Sequence, residues 1–170
     1  SIPEDPKMHE SIRLEVTQNL KRLRHHACIA LICGNNEIEQ IFQWRHDEGK
    51  IARQVTYLKV FEKMIPDIVN EVCPEISFVP SSPTSYGSFI DVDNENVGDN
   101  HYWMVGLHDD PFSSYRNHYF RYLSEFGFQS FPNEKTVNSF TIPEDRNIFS
   151  RVMELHQRCP GANKKILTYL

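Results

Sequence analysis

The sequence has no long apolar run. The run Cys28-Ile29-Ala30-Leu31-Ile32-Cys33 is the length of a buried strand and far short of the roughly 18–20 residues a membrane span needs. It has no basic excess either. The 18 Lys and Arg stand against 23 Asp and Glu, giving a formal net charge of −5, which argues against a nucleic-acid binder held by phosphate charge. Cysteine is sparse, and Cys28, Cys33, Cys73 and Cys159 form no CxxC pair. Neither a disulfide framework nor a thiolate zinc site is indicated. His25 and His26 lie beside Cys28 and Cys33, but strand alternation would scatter those side chains over two faces. There is no HExxH spacing and no Asn-x-Ser/Thr sequon. No motif asks for a cofactor or a metal. Ser1 opens no signal or transit segment, and no initiator Met precedes it. The expectation is a processed chain or one that begins inside a longer polypeptide, in a reducing, cytoplasmic setting.

What is present is enough apolar residue for one core: 39% of 170 residues. Ile2-Pro3-Glu4-Asp5-Pro6 opens a helix whose Ile12, Val16, Leu20 and Leu23 recur every three to four residues. A strand over 28–33 ends in Gly34-Asn35-Asn36-Glu37. A helix is predicted from Glu37 through Trp44, and another over 51–69 with Pro66 near its end. Further strands are expected over 76–79, 101–105 and 120–126, with closing helices over 143–157 and 161–169. The polar stretch 84–100 reads as a long loop. Helices alternating with short strands predict βα units and a parallel sheet. Function in such sheets sits beyond the strand carboxyl ends. Asn36-Glu37, Ser81-Ser82, His101-Tyr102 and Ser124-Glu125 would meet on that rim.

Glu37 directly follows one apolar run, and Glu125 closes another. A carboxylate at the end of a buried strand is costly unless paired or titrated, so two of them need a reason. Paired carboxylates among aromatics are what glycosidic-bond cleavage requires.

The stretch from Arg22 to Glu37, with Gly34-Asn35-Asn36-Glu37 at its end, resembles the acid/base strand of glycoside hydrolase family 2 β-mannosidases. Gly98-Asp99-Asn100-His101-Tyr102-Trp103 and Phe120-Arg121-Tyr122-Leu123-Ser124-Glu125-Phe126-Gly127-Phe128-Gln129-Ser130-Phe131-Pro132 resemble later landmarks of the same catalytic domain. The tail from His156 to Leu170 is also similar. Ile32 stands where relatives often carry Trp, and Val105-Gly106-Leu107-His108 where they often read Val-Trp-His-Gly.

The resemblance implies a retaining exo-β-mannosidase with Glu37 as acid/base and Glu125 as nucleophile. Their carboxyl groups are then expected about 5–5.5 Å apart. It implies that Asn36 binds the sugar's 2-hydroxyl and that Tyr102 donates to the nucleophile. Trp44 and Trp103 would offer sugar platforms, and His101 would be a further substrate-binding residue. The expected partner is a β-mannoside or related oligosaccharide, with no nucleic acid and no membrane. Other family 2 exo-glycosidases, for β-galactosides or β-glucuronides, and a non-catalytic fragment are the runners-up.

The fold implied is a (β/α)8 TIM barrel, which takes about 250 residues. The four predicted strands resemble its strands 4 to 7. Residues 1–170 are therefore expected to be part of one catalytic domain, inactive alone and completed by the rest of a parent polypeptide. Open strand edges also favour a homo-oligomer.

Overall fold

The computed structural model describes residues 3–44, 50–86 and 89–170. It is an α/β chain of helices and short strands. Its described residues fall into two compact units. The first runs to His101 and also takes Phe120–Ser124. The second holds Tyr102–Tyr119 and Glu125–Leu170.

The first unit begins with α1 (Pro6–Leu23). Asp5 caps it by accepting from the Lys7 N–H at 2.9 Å, and Pro6 sits at the first helical position, where its missing N–H costs nothing. Ile12, Val16 and Leu20 pack on the core, as their spacing predicts. Two turns then close the helix, with Ile29 N–H donating to the His26 carbonyl at 3.1 Å. Cys28 is drawn into them. The predicted strand 28–33 therefore shortens to β1 (Leu31–Cys33).

β1 pairs in parallel with β2 (Ser77–Val79), in the register Leu31 to Ser77, Ile32 to Phe78 and Cys33 to Val79. Between them lie α2 (Ile38–Trp44), α3 (Lys50–Tyr57) and α4 (Ile65–Val72). A π-helical segment, Leu58–Met64, joins α3 to α4. The single predicted helix over 51–69 is thus three helical stretches ending three residues later. Pro66 explains the change of winding: it has no N–H to donate, and the turn ahead of it widens so that Ile65 N–H reaches the Val60 carbonyl. Tyr57, Val60, Phe61, Met64, Ile65, Ile68, Val69, Val72 and Cys73 bury the inner face of this run, with Phe42 of α2.

The described part of the 84–100 loop is built, not loose. Thr84 and Asp99 exchange backbone hydrogen bonds at 3.2 Å across its base. Gln40 donates to Asp93 at 2.6 Å, the Val92 N–H donates to the Gln43 side chain at 2.7 Å, and Val92 is fully buried.

β3 (Asn100–Tyr102) and β4 (Leu123–Phe126) form a second two-stranded sheet. Instead of one four-stranded ladder, the described residues form two pairs. Both later strands are shorter than predicted. Trp103 leads into a helical turn, α5 (Met104–Leu107), and residues 120–122 lie outside the strand.

In the second unit, a 3₁₀ segment over Phe112–Asn117 and α6 (Glu134–Phe140) were not anticipated. Asn133 caps α6 by accepting from Thr136 N–H at 3.0 Å. The helix predicted over 143–157 is a 3₁₀ turn at Pro143–Asp145 and a short α7 (Arg151–Leu155), because Ser150 restarts the helix as a new N-cap. α8 (Ala162–Thr168) closes the chain. Its end is fixed to α5: Tyr169 Oη accepts from Gly106 N–H at 2.9 Å and donates to the Asp110 carbonyl at 2.8 Å.

Candidate active site

Glu37 lies just beyond the carboxyl end of β1, where a parallel pair leaves its loops to converge. The approach to it is tight. Gly34 runs so close to β2 that a Cβ there would stand 2.5 Å from the Pro80 carbonyl oxygen. Asn35 then ties the turn together. Its Oδ1 accepts from Ile38 N–H at 3.1 Å and Ser81 Oγ at 2.9 Å, and its Nδ2 donates to the Pro80 carbonyl at 2.7 Å. Asn36 bridges to Ser82, and Glu37 N–H donates to the Ser82 carbonyl at 2.7 Å. So held, Glu37 adopts φ +61°, a left-handed conformation that costs a side-chain-bearing residue energy.

The Glu37 carboxylate meets a buried ring. Its Oε1 lies 3.0 Å from His101 Nδ1, and the side chains are 33% and 1% exposed respectively. The other ring nitrogen, Nε2, is 3.0 Å from Ser82 Oγ. Ser82 Oγ donates to Asp99 Oδ2 and lies 3.2 Å from Ser124 Oγ. Asp99 is 3% exposed, and its Oδ1 has no hydrogen-bond partner among the described residues. Nearby, burial and then the Asp99 charge push the Cys33 thiol up, which keeps it neutral.

A second buried carboxylate lies on α2. Glu39, 1% exposed, accepts from Tyr57 Oη at 2.6 Å and Thr84 Oγ1 at 2.9 Å. Burial raises its carboxyl above the ordinary value, and the two hydroxyl donors work against that rise. It borders a cavity of about 230 Å³ lined also by Phe61, Glu62, Phe78 and Tyr86.

In the second unit, Glu125 of β4 accepts from the Trp103 indole Nε1 at 3.3 Å. The Tyr102 hydroxyl donates to Asp110 at 3.5 Å, and burial followed by the Asp110 charge pushes that phenol up. Trp103, Gly106, Leu107, Gly127 and Gln129 line a cavity of about 210 Å³. The Gln129 Oε1 is buried without a hydrogen-bond partner among the described residues.

No family model matches the chain. Individual proteins do. Beta-mannosidase B of Aspergillus clavatus is 31% identical over the whole of this chain, and that of Thermothelomyces thermophilus is also 31% identical. Among solved structures, the β-D-mannosidase of Dictyoglomus thermophilum superposes on 98% of the chain with a TM-score of 0.83 and 27% identity. The chain is β-mannosidase-like throughout. It spans about a fifth of the length of these relatives, 21% of the curated proteins and 20% of the solved chain.

This β-mannosidase-like chain brings Glu37, Ser82, His101 and Ser124 together within its first unit, and Trp103 with Glu125 within its second. Asn36 is exposed beside Glu37. Trp44, at the end of α2, is 62% exposed. Of the two ring nitrogens of His101, Nδ1 faces Glu37 and Nε2 faces Ser82. Asp99, Glu39 and Gln129 were missed by sequence reasoning. No helix among the described residues is long and apolar enough to cross a membrane.

Proposed function

We propose that this segment supplies both carboxylates of a retaining exo-β-mannosidase, as part of a (β/α)8 catalytic domain to which β1–β4 contribute its strands 4 to 7. Glu125 attacks the anomeric carbon and Glu37 gives its proton to the departing glycosidic oxygen. The C1–O bond to the aglycone breaks and an ester to Glu125 forms. Glu37 then takes a proton from water, which attacks C1 and releases Glu125 as a carboxylate. The two displacements together retain the anomeric configuration.

The observation that carries this reading is the placement of Glu37. A carboxylate beyond the end of a parallel strand, held in a strained backbone conformation and hydrogen-bonded to a buried histidine, is built for chemistry rather than for solvation. The likeness to β-mannosidases supports the choice of substrate, a terminal β-linked mannose. Asn36 donates to the sugar's 2-hydroxyl, Trp103 orients the nucleophile through its indole N–H, and Trp44 offers a platform for the sugar's C–H face.

The test uses the complete polypeptide that carries this sequence, assayed on nitrophenyl β-mannoside, β-galactoside and β-glucuronide. Turnover of the mannoside with a β-configured first product is the expected result. Glu125→Ala removes almost all of it. Glu37→Ala mainly slows substrates with poor leaving groups, and azide restores turnover by attacking the glycosyl-enzyme. Absence of mannoside turnover, or an inverted first product, overturns the reading.

A further inference from the structure

Asp99 is the least expected charge in the first unit. It is 3% exposed, yet its one side-chain hydrogen bond among the described residues comes from the Ser82 hydroxyl, and its Oδ1 has none. A buried carboxylate in that state is expensive and survives only where something depends on it.

Proton counting shows what does. Ser82 has a single hydroxyl proton and gives it to Asp99 Oδ2. The Ser124 hydroxyl, 3.2 Å from Ser82 Oγ, also lies 3.4 Å from the Asn100 carbonyl, to which it donates. Ser82 Oγ is thus an acceptor toward His101, and Nε2 is the protonated ring nitrogen in the 3.0 Å contact between them. That leaves Nδ1 to face Glu37 Oε1, also at 3.0 Å. A ring that holds the acid in place must donate to Oε1 through Nδ1, because the single carboxyl proton of Glu37 is needed on Oε2 for the glycosidic oxygen. With Nε2 also protonated, that ring is an imidazolium whose charge faces Asp99 through Ser82. The Nδ1 proton then stays on the Oε1–Nδ1 line whether Oε2 carries its proton or has given it up, and the carboxyl plane of Glu37 stays fixed.

We propose that Asp99 and Ser82 are positioning residues for His101, and that His101 in turn positions the Glu37 carboxyl through both halves of the reaction. The proposal rests on the reading of Glu37 as acid/base. It adds to that reading a buried line, Asp99–Ser82–His101, which ends on the acid/base. Asp99 sets the direction of the Ser82 hydroxyl, Ser82 accepts the Nε2 proton and fixes the ring of His101, and His101 sets the carboxyl.

The test compares 2,4-dinitrophenyl and 4-methoxyphenyl β-mannosides on one preparation of each variant of the complete polypeptide. The first aglycone leaves without protonation and the second needs it. The ratio of their kcat/KM values cancels the amount of folded enzyme, so a purely structural role does not move it. General acid catalysis is worth about 10²–10⁴-fold. A displaced acid loses part of that, so Asp99→Asn and Ser82→Ala should each raise the ratio by about tenfold or more. Ser82→Thr, which keeps the hydroxyl, should bring it back toward the parent value. If Asp99→Asn does not fold, Ser82→Ala, which removes one oxygen, carries the same comparison. A ratio unchanged within about twofold in Ser82→Ala and in any folded Asp99→Asn overturns the proposal. Glu37→Ala is run alongside. If it leaves the ratio unmoved, the acid/base reading fails; if it moves the ratio and the others do not, the positioning line alone fails.

Discussion

Gly34→Ala is the smallest change that should be felt at Glu37. The added methyl would stand 2.5 Å from the Pro80 carbonyl oxygen and 3.2 Å from Phe61 Cδ1 and Phe78 Cζ. Real Cβ contacts essentially never fall below 3.0 Å, so something must move by about 0.5 Å or more. Neither direction is free. The two rings belong to the packed layer between helix and strand, and the Pro80 carbonyl is the acceptor that holds Asn35 Nδ2 at 2.7 Å. Pushing that carbonyl away draws on Asn35, whose Oδ1 fixes the Ile38 N–H and Ser81 Oγ on either side of Glu37. Overpacking of this kind costs about 1–3 kcal/mol, which for a chain of this size lowers Tm by several degrees. A displacement of about 1 Å at a catalytic group costs about 100-fold in rate, so half of that should cost about tenfold in kcat/KM. The assay is 4-nitrophenyl β-mannoside hydrolysis by the complete polypeptide, with a thermal melt of the same sample. A Gly34→Ala variant with Tm unchanged and activity within twofold of the parent would refute the claim that close approach at Gly34 sets the Glu37 turn.

Gly98→Ala should be worse. At φ +69° its Cβ would fall 1.9 Å from the Thr84 carbonyl oxygen and force apart the Thr84–Asp99 bridge, a cost of at least about 2 kcal/mol visible as a larger Tm loss than at Gly34. Glu39→Gln tests the buried carboxyl. Because burial raises its folded value above the ordinary 4.5, the fold holds a proton that the unfolded chain has released, and stability falls as pH rises through that window. Melts from pH 4 to pH 8 should therefore show the Gln variant gaining on the parent as pH rises; a gap that stays constant contradicts the assignment.

The parts of the molecule legible in the sequence are those with a local signature. Asp5-Pro6 followed by Ile12, Val16 and Leu20 specifies α1 and the face it buries. Gly34-Asn35-Asn36-Glu37 marks a turn whose first two residues have identifiable structural tasks. What was not legible depends on partners distant in sequence. β1 begins only at Leu31 because the turns that close α1 take in Cys28, and no property of Cys28–Ala30 says so. The π-helical winding before Pro66 follows from a missing N–H whose consequence appears a turn earlier. Asp99 sits in a stretch of Asp and Asn that reads as solvated loop, and only the bridge to Thr84 takes it out of water. Glu39 looks like an ordinary helix surface residue until Tyr57 and Thr84 close over it. The α6 helix was different: Asn133 before Glu134 was a readable cap.

Glu37 itself shows what the site costs the fold. At φ +61° it occupies a region where a Cβ is penalised by about 1–2 kcal/mol, and the turn is pinned there by Ser82, whose carbonyl accepts the Glu37 N–H at 2.7 Å and whose N–H donates to the Asn35 carbonyl at 2.9 Å. Two substitutions that both remove the carboxylate should therefore differ in stability. Glu37→Ala keeps the Cβ and the strain. Glu37→Gly releases the strain but gives the unfolded chain about 0.4–1 kcal/mol of extra conformational freedom. The balance favours the Gly variant by roughly 0.5–1 kcal/mol after that entropy is subtracted from the relief. At most helical or strand positions the order is the reverse, with Ala the more stable. The inversion is therefore a signature of stored backbone strain. Denaturant melts of the two variants under identical conditions read it directly. If the Ala variant is the more stable of the pair, the turn is relaxed at Glu37, and the carboxylate is aimed by its side-chain partner alone.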